Sequence, residues 1–363
     1  MLVLKFGGTS VGSASRMKEV ANLINTPERK IVVLSAMAGT TNSLVEIAGY
    51  LYQKNIEAAN EQINVLEKNY EQVVKELYTS STYKEKGLEL IKSHFSYVRA
   101  FTQDMFTLFE EKAVLAQGEM LSTALFHYYL EEQQISSSLI SALNFMRIDE
   151  EGEPNTAYIK EHLQKELTTQ SSINIFITQG FVCRNTYGEI DNLKRGGSDY
   201  SASLIGAATN AEEIQIWTDI DGFHNNDPRI VENTNPLSGL SFDEAAELAY
   251  FGAKILHPSS VLPAKLANIS VRLKNTMQPE APGTIICNET QKQGIKAIAA
   301  KDGITAIKIK SGRMLLAHGF LRKVFEIFET YKTSIDMITT SEVAVSVTID
   351  DTKFLNEIVQ DLK

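Results

Sequence analysis

The sequence predicts an α/β protein with a mainly parallel sheet, followed by a smaller second unit. Three observations carry this. Short apolar runs, Leu2 to Lys5, Ile31 to Leu34, Ile173 to Thr178, Ile214 to Thr218 and Ile269 to Leu273, have the composition of strands buried on both faces. Between the strands the apolar spacing turns helical: Ile56, Ala59, Ile63, Leu66, Tyr70, Val73 and Leu77 recur every three or four residues, the stripe of one long amphipathic helix. Strands separated by helices favour parallel pairing, because a parallel neighbour needs a crossover connection. Finally, the pattern breaks around Pro279, Pro282 and Gly283, and the polar stretch Asn288 to Gly294 has linker character. The expected divisions are therefore 1–287, 288–294 and 295–363.

In the second unit Ile304 to Lys310 is expected as a strand, and Gly319 to Tyr331 as a helix with Phe320, Leu321, Val324, Phe325 and Phe328 facing inward. Ser334 to Thr340 is a further strand. Val343, Val345, Val347 and Ile349 alternate with smaller or polar residues in another, and Phe354, Leu355, Ile358, Val359 and Leu362 line a last helix. The order βαββα is one strand short of a closed ferredoxin-like unit, so the unit looks incomplete.

Composition narrows the function. With 363 residues, 43% of them hydrophobic, the chain can bury a large core. Its formal charge of -10, without any run of basic residues, argues against nucleic acid as a partner. No apolar run approaches the roughly 18 residues of a membrane helix, and the N-terminus lacks signal-peptide character, so no membrane partner is expected and a cytoplasmic location is. Cys183 and Cys287 are the only cysteines and suggest neither a disulfide framework nor a zinc site.

An anionic substrate must then be held by local groups. Lys5 ends the first strand, and Gly7, Gly8, Thr9 and Ser10 follow before a plausible helix, an arrangement that offers backbone amides and a cation to phosphate. It is not a Walker loop, in which the lysine follows the glycines. Arg195 to Ala202 again joins a cation to a glycine pair, hydroxyls and a carboxylate at a helix start. Arg195 suits a carboxylate through two parallel N–H bonds, and Asp199 could orient Lys5 or a metal, although Ser198 or Asp199 could equally be a plain N-cap. Trp217-Thr218-Asp219 closes a strand and leads through Gly222 to Asp227-Pro228-Arg229, at the sheet edge where open α/β proteins bind ligands. Phe251 to Pro258 adds Lys254 and Ile255. Gly118-Glu119 is expected to open a helix over Met120 to Leu130, and Ser35 to Asn42 supplies the hydroxyls of Thr40 and Thr41.

In this order the segments Lys5 to Ser10, Ser35 to Asn42, Gly118 to Ser122, Arg195 to Ala202, Thr218 to Gly222 and Phe251 to Pro258 resemble the motif series of aspartokinases, over essentially the whole chain. The tail Ser334 to Glu342 is similar to the first ACT domain of that family. The resemblance implies a three-layer αβα sandwich of the amino acid kinase type with a C-terminal ferredoxin-like ACT domain. It also implies transfer of phosphate from ATP, with Mg²⁺, to the side-chain carboxylate of L-aspartate. Lys5 and Asp199 would serve phosphoryl transfer. Thr41, Glu119, Arg195 and Ser198 would hold aspartate, while Lys5, Gly7, Gly8, Thr218, Asp219, Arg229, Lys254 and Ile255 would hold the nucleotide. No protein ligand for the metal is assigned.

Effector contacts, to lysine or threonine, would come from Met314, Phe320, Leu321, Ile335, Asp336, Ser341 and Glu342. A homodimer or larger homo-oligomer through both domains is implied as well. The family usually carries two ACT units, so the sequence is expected to be a shortened piece or a natural short form. Departures from the family pattern are His224 for a tyrosine, Lys194 for a glycine, and Ile190 to Leu193 in place of a threonine-rich approach; Leu316, Ala317 and His318 replace polar and basic residues of lysine-sensitive members. Glutamate kinase and UMP kinase are rivals within the superfamily, and a non-catalytic amino-acid sensor is the rival outside it.

Overall fold

The computed structural model describes residues 1–103, 105–193, 196–252, 255–289, 294–311 and 318–363. The chain forms two compact units, Met1–Ala299 and Ala300–Lys363. The first begins with β1 (Leu2–Phe6), α1 (Ala14–Ile24), β2 (Lys30–Leu34), α2 (Thr40–Tyr52), α3 (Ile56–Leu77), α4 (Ser81–Ala100) and α5 (Leu108–Glu132). There follow β3 (Ser137–Leu139), α6 (Ala142–Phe145), α7 (Thr156–Thr169), β4 (Ile175–Gln179), a hairpin of β5 (Val182–Arg184) and β6 (Ile190–Asn192), and α8 (Gly197–Thr209). The unit closes with β7 (Glu213–Thr218), β8 (Gly239–Ser241), α9 (Phe242–Tyr250), α10 (Leu262–Leu266), β9 (Val271–Asn275) and β10 (Thr284–Cys287).

Eight strands make one sheet in the order β3-β4-β2-β1-β7-β9-β10-β8, parallel except where β10 meets β9. Because side chains alternate along a strand, each central strand feeds two cores. Val3, Ile31, Val33, Ile214 and Ile216 pack with residues of α6 to α10, whereas Leu4, Phe6, Val32, Leu34 and Trp217 pack with residues of α1 to α5. Helices on both faces of a parallel sheet give the three-layer sandwich.

Several boundaries differ from the sequence reading. The helix after the first glycine loop starts at Ala14, capped by Ser13, so Gly7 to Ser10 form a turn short of the helix. Glu119 does not open a helix. α5 begins eleven residues earlier at a Thr107–Glu110 capping box, and Glu119 sits at its middle. On α3 the stripe is as expected from Ala59 to Leu77, except that Val74 rather than Val73 is fully buried and Ile56 is exposed. Residues 295–299 belong to the first unit, not the second: Lys296 pairs with Glu244 at 2.7 Å and the Ile298 amide donates to Asn225 O at 2.9 Å.

The second unit contains β11 (Thr305–Lys310), α11 (Phe320–Thr330), β12 (Met337–Thr340), β13 (Ala344–Ile349) and α12 (Leu355–Asp361). Its antiparallel sheet has the order β11-β13-β12. Val345, Val347 and Ile349 pack with Val324, Phe328 and Ile358. Leu321 and Phe325, expected inside, are 39% and 40% exposed. They are one turn apart on α11, roughly 100° per residue round from the face of Phe320, Val324, Ile327 and Phe328.

Candidate active site at the carboxyl edge of the sheet

The loops that leave neighbouring parallel strands are sewn together at one edge. Gly7 N donates to Trp217 O (3.2 Å), Ser35 N to Phe6 O (3.1 Å), Gly180 N to Leu34 O (2.9 Å) and Thr276 N to Thr218 O (2.8 Å). Each loop is thus held by one of the last two residues of the neighbouring strand. This is the edge at which open α/β sheets present ligand sites.

Lys5 rises from β1 into this edge and its Nζ lies 2.7 Å from Asp199 Oδ1 in the first turn of α8. The contact is an ion pair; among the described residues Asp199 Oδ1 receives no aligned hydrogen bond, so it keeps acceptor capacity. α8 can start here because Gly196 (φ 68) and Gly197 (φ 49) adopt left-handed backbone, and a Cβ at Gly196 would overlap Ser260. Ser198 accepts from Ser35 Oγ at 2.9 Å, and Ser122 Oγ on α5 donates to Ser35 O at 2.8 Å, which links α8, the loop after β2 and α5.

Glu119 projects from α5 beside this loop and is 4% exposed. Among the described residues one of its oxygens, Oε2, has no hydrogen-bond partner. Burial pushes its carboxyl up to about 7, although the Ala36 amide and the Lys5 cation both favour the carboxylate. Gly118 permits the close approach, since a Cβ there would stand 2.8 Å from Ala36 Cβ. A buried acid with an unused oxygen is a receptor for a cation.

The glycine loop after β1 is a turn closed by Ser10 N and Val11 N on Gly7 O. Gly8 sits so close to the second loop that a Cβ would come 2.9 Å from Ala36 O. Among the described residues the Gly8 and Thr9 amides donate to no protein acceptor. Ser10 is not available to a ligand: it is buried and pairs with Thr276 Oγ1 at 2.7 Å. Likewise Thr40 is buried on Tyr70 Oη at 3.0 Å, whereas Thr41 beside it is exposed in the first turn of α2.

Of the remaining nucleotide candidates, Thr218 ends β7 and shares a turn with Ile220 (3.2 Å), and Asp219 is exposed next to it. Arg229, 79% exposed, is folded onto Asp227 through Nη2 at 2.6 Å, which holds the Asp227 carboxyl down at about 2. His224 is held on both ring nitrogens, by Asp221 (2.7 Å) and Thr234 (2.8 Å). Ile255 is half-buried against the core. Arg195, Lys254 and Met314 lie outside the described residues, as do Lys194, Leu316 and Ala317. Among the described residues no cluster of three His, Cys, Asp or Glu side chains could hold a metal. Sequence reasoning passed over Gly180 and Thr276, whose one available signal is that each directly follows a strand.

In the second unit, Asp336 precedes β12 and its amide donates to Thr348 O at 2.8 Å, while Ser341 and Glu342 follow β12, with Ser341 N on Ala344 O at 2.8 Å. A four-residue strand, roughly 13 Å long, separates them, so these three effector candidates do not converge within one unit. Ile335 and Phe320 are half-buried against the core of this unit, and Leu321 faces away from it.

The chain belongs to the amino acid kinase family, whose model matches residues 1–275. Within that family it falls with the aspartokinases. It is 38% identical to aspartokinase 1, chloroplastic, of Arabidopsis thaliana, over 99% of this chain and 65% of that protein. It is 35% identical to lysine-sensitive aspartokinase 3 of Escherichia coli, over 97% of this chain and 79% of that protein. The crystal structure of E. coli aspartokinase III in complex with aspartate and ADP superposes with a TM-score of 0.80 at 33% identity, covering 97% of this chain and 79% of that one. The chain therefore spans about two thirds of the length of the plant relative.

Proposed function

We propose that the protein is an ATP-dependent aspartate kinase, transferring the γ-phosphoryl group to the β-carboxylate of L-aspartate to give 4-phospho-L-aspartate and ADP. The observation that carries this is the placing of Lys5, Asp199 and the half-unpaired Glu119 at one strand edge. The complex of the E. coli relative with aspartate and ADP supports it.

In this reading Glu119 holds the α-ammonium group, Arg195 the α-carboxylate, and Thr41 and Ser198 complete the amino-acid end. A carboxylate oxygen then attacks the γ-phosphorus while the bond to the β–γ bridging oxygen breaks. With an ordinary pKa near 3.9 this nucleophile is already ionised and needs no general base. The barrier is repulsion between anions, so the protein contributes in-line positioning and charge neutralisation. Lys5 meets the developing negative charge, Asp199 aims Lys5, and the Gly8 and Thr9 amides receive phosphate oxygens. Thr218, Asp219, Arg229, Lys254 and Ile255 hold the rest of the nucleotide.

The residues present fit Mg²⁺ through Asp199, which retains acceptor capacity and would help hold the ion, while the described residues offer no acid cage of their own. When bound, it neutralises phosphate charge. We read the second unit as an ACT module that binds lysine or threonine and pairs with a second copy, a reading supported by the lysine-sensitive relative and the βαββα order. The product would feed lysine, threonine and methionine synthesis, and the compartment implied is the cytoplasm; no described helix is long and apolar enough to cross a membrane.

Trapping the acyl phosphate with hydroxylamine, in the presence of ATP, Mg²⁺ and either aspartate or glutamate, tests the reading. A hydroxamate with aspartate alone is expected. Its absence with aspartate overturns the proposal.

A further inference from the structure

The short strand β6, Ile190–Asn192, is tied to α5 by an ion pair that the proposed chemistry does not use. Asp191 on β6, with a side chain 5% exposed, forms an ion pair with Lys112 Nζ on α5 at 2.6 Å. Its second oxygen accepts from the Asn192 amide at 2.7 Å, and Asn192 Nδ2 reaches back to Lys112 O at 3.4 Å. The strand is therefore stitched to the helix by two adjacent residues.

Both partners are connected to the site. Glu119 lies seven residues beyond Lys112 on α5, two turns or roughly 10 Å along one side of the helix. Gly196 follows Asp191 by five positions and is the N-cap of α8, which carries Ser198 and Asp199. The base of the hairpin is locked as well, by Leu193 N on Phe181 O (2.8 Å) and Phe181 N on Ser201 Oγ (2.8 Å). A buried ion pair is a poor source of net stability, because desolvation offsets the attraction, but it fixes one geometry where apolar contacts would allow several.

We infer that the Lys112–Asp191 pair is a positioning device for aspartate binding, setting the distance between Glu119 on α5 and Ser198 in the first turn of α8. This rests on the functional reading above. Lys112 and Asp191 are bonded to each other and to Asn192, so the pair acts on how well aspartate is held and leaves the nucleotide end alone.

The test uses the double variant Lys112→Met/Asp191→Asn, which leaves no charge buried and keeps an amide oxygen for the Asn192 N–H. The aspartate KM is expected to rise about tenfold, with the ATP KM within about twofold and kcat little changed. Lys112→Arg alone keeps the charge and is expected to stay near the wild-type aspartate KM. A double variant with wild-type aspartate KM overturns the inference. So does one whose aspartate and ATP constants rise together with a fall in Tm, which would mark a purely structural pair. If the wild-type protein forms no acyl phosphate from aspartate, the functional reading falls, and the pair is judged by amide hydrogen exchange alone. Faster exchange at 190–193 and 196–201 in the double variant supports positioning of this segment; unchanged exchange refutes it.

Discussion

Lys5 Nζ and Asp199 Oδ1 stand 2.7 Å apart across 194 positions of sequence, joining the end of the central strand to the first turn of α8. Replacing Lys5 with Met removes the cation proposed to meet the transferred phosphoryl group. A loss in kcat of about 10²–10³-fold is expected, the size seen when one preorganised electrostatic contact is deleted. Circular dichroism should be unchanged, since the surrounding Val3, Leu4 and Phe6 still fix β1. Wild-type turnover would remove Lys5 from the mechanism.

Glu119 must be ionised to hold an ammonium group, yet burial raises its pKa to about 7. The kcat/KM for aspartate is therefore expected to fall as pH drops through about 7, with a slope approaching one. Glu119→Gln should flatten that limb and lower kcat/KM throughout. The stability effect has the opposite sense. A carboxyl raised in the folded state favours folding below its unfolded pKa and loses that contribution as pH rises through about 7, so Glu119→Gln should raise Tm most at pH 8. A pH profile identical in the two proteins would exclude Glu119 from binding.

Gly180 directly follows β4, and a Cβ there would overlap Ser198. Gly180→Ala should displace the start of α8, with a stability cost of about 1–3 kcal/mol from overpacking. The fall in kcat/KM should be larger than that cost alone explains, because Ser198 and Asp199 move with the helix. Denaturant titration and steady-state kinetics on the same samples separate the two effects.

Ser10 is buried against Thr276 and Trp217 O. Ser10→Ala is expected to cost about 1 kcal/mol in stability through the lost hydrogen bond. The ATP KM should stay within about twofold, because the hydroxyl is committed to Thr276 Oγ1 and Trp217 O. A tenfold rise in that constant without a change in Tm would show that Ser10 is a ligand contact.

The strands and the long helix α3 were legible because burial on both faces, or on one stripe, leaves a local period in the sequence. Leu321 and Phe325 show where that signal stops: both are apolar, both lie on a helix, and α11 turns them away from the core of their own unit. The start of α5 was hidden for a different reason. Leu108 to Glu119 is mixed in polarity because the middle of this helix is buried on nearly every side and carries Gln117 and Glu119 inward, so no single apolar stripe marks it.

Residue type and order alone singled out groups suited to an anion, Lys5 beside a glycine pair and Asp199 after another; the resemblance to aspartokinases added Glu119 and Arg195, whose charges suit the two ends of aspartate. Those choices follow from charge and from the small size of glycine, which are properties of the residues themselves. Only the tertiary structure decided which hydroxyls were already committed, Ser10 to Thr276 and Thr40 to Tyr70, and that Asp191 would find Lys112. Each of these contacts joins positions brought together by strand order and helix packing. A hydrogen bond depends on the distance between atoms, and no local pattern in the chain encodes that distance.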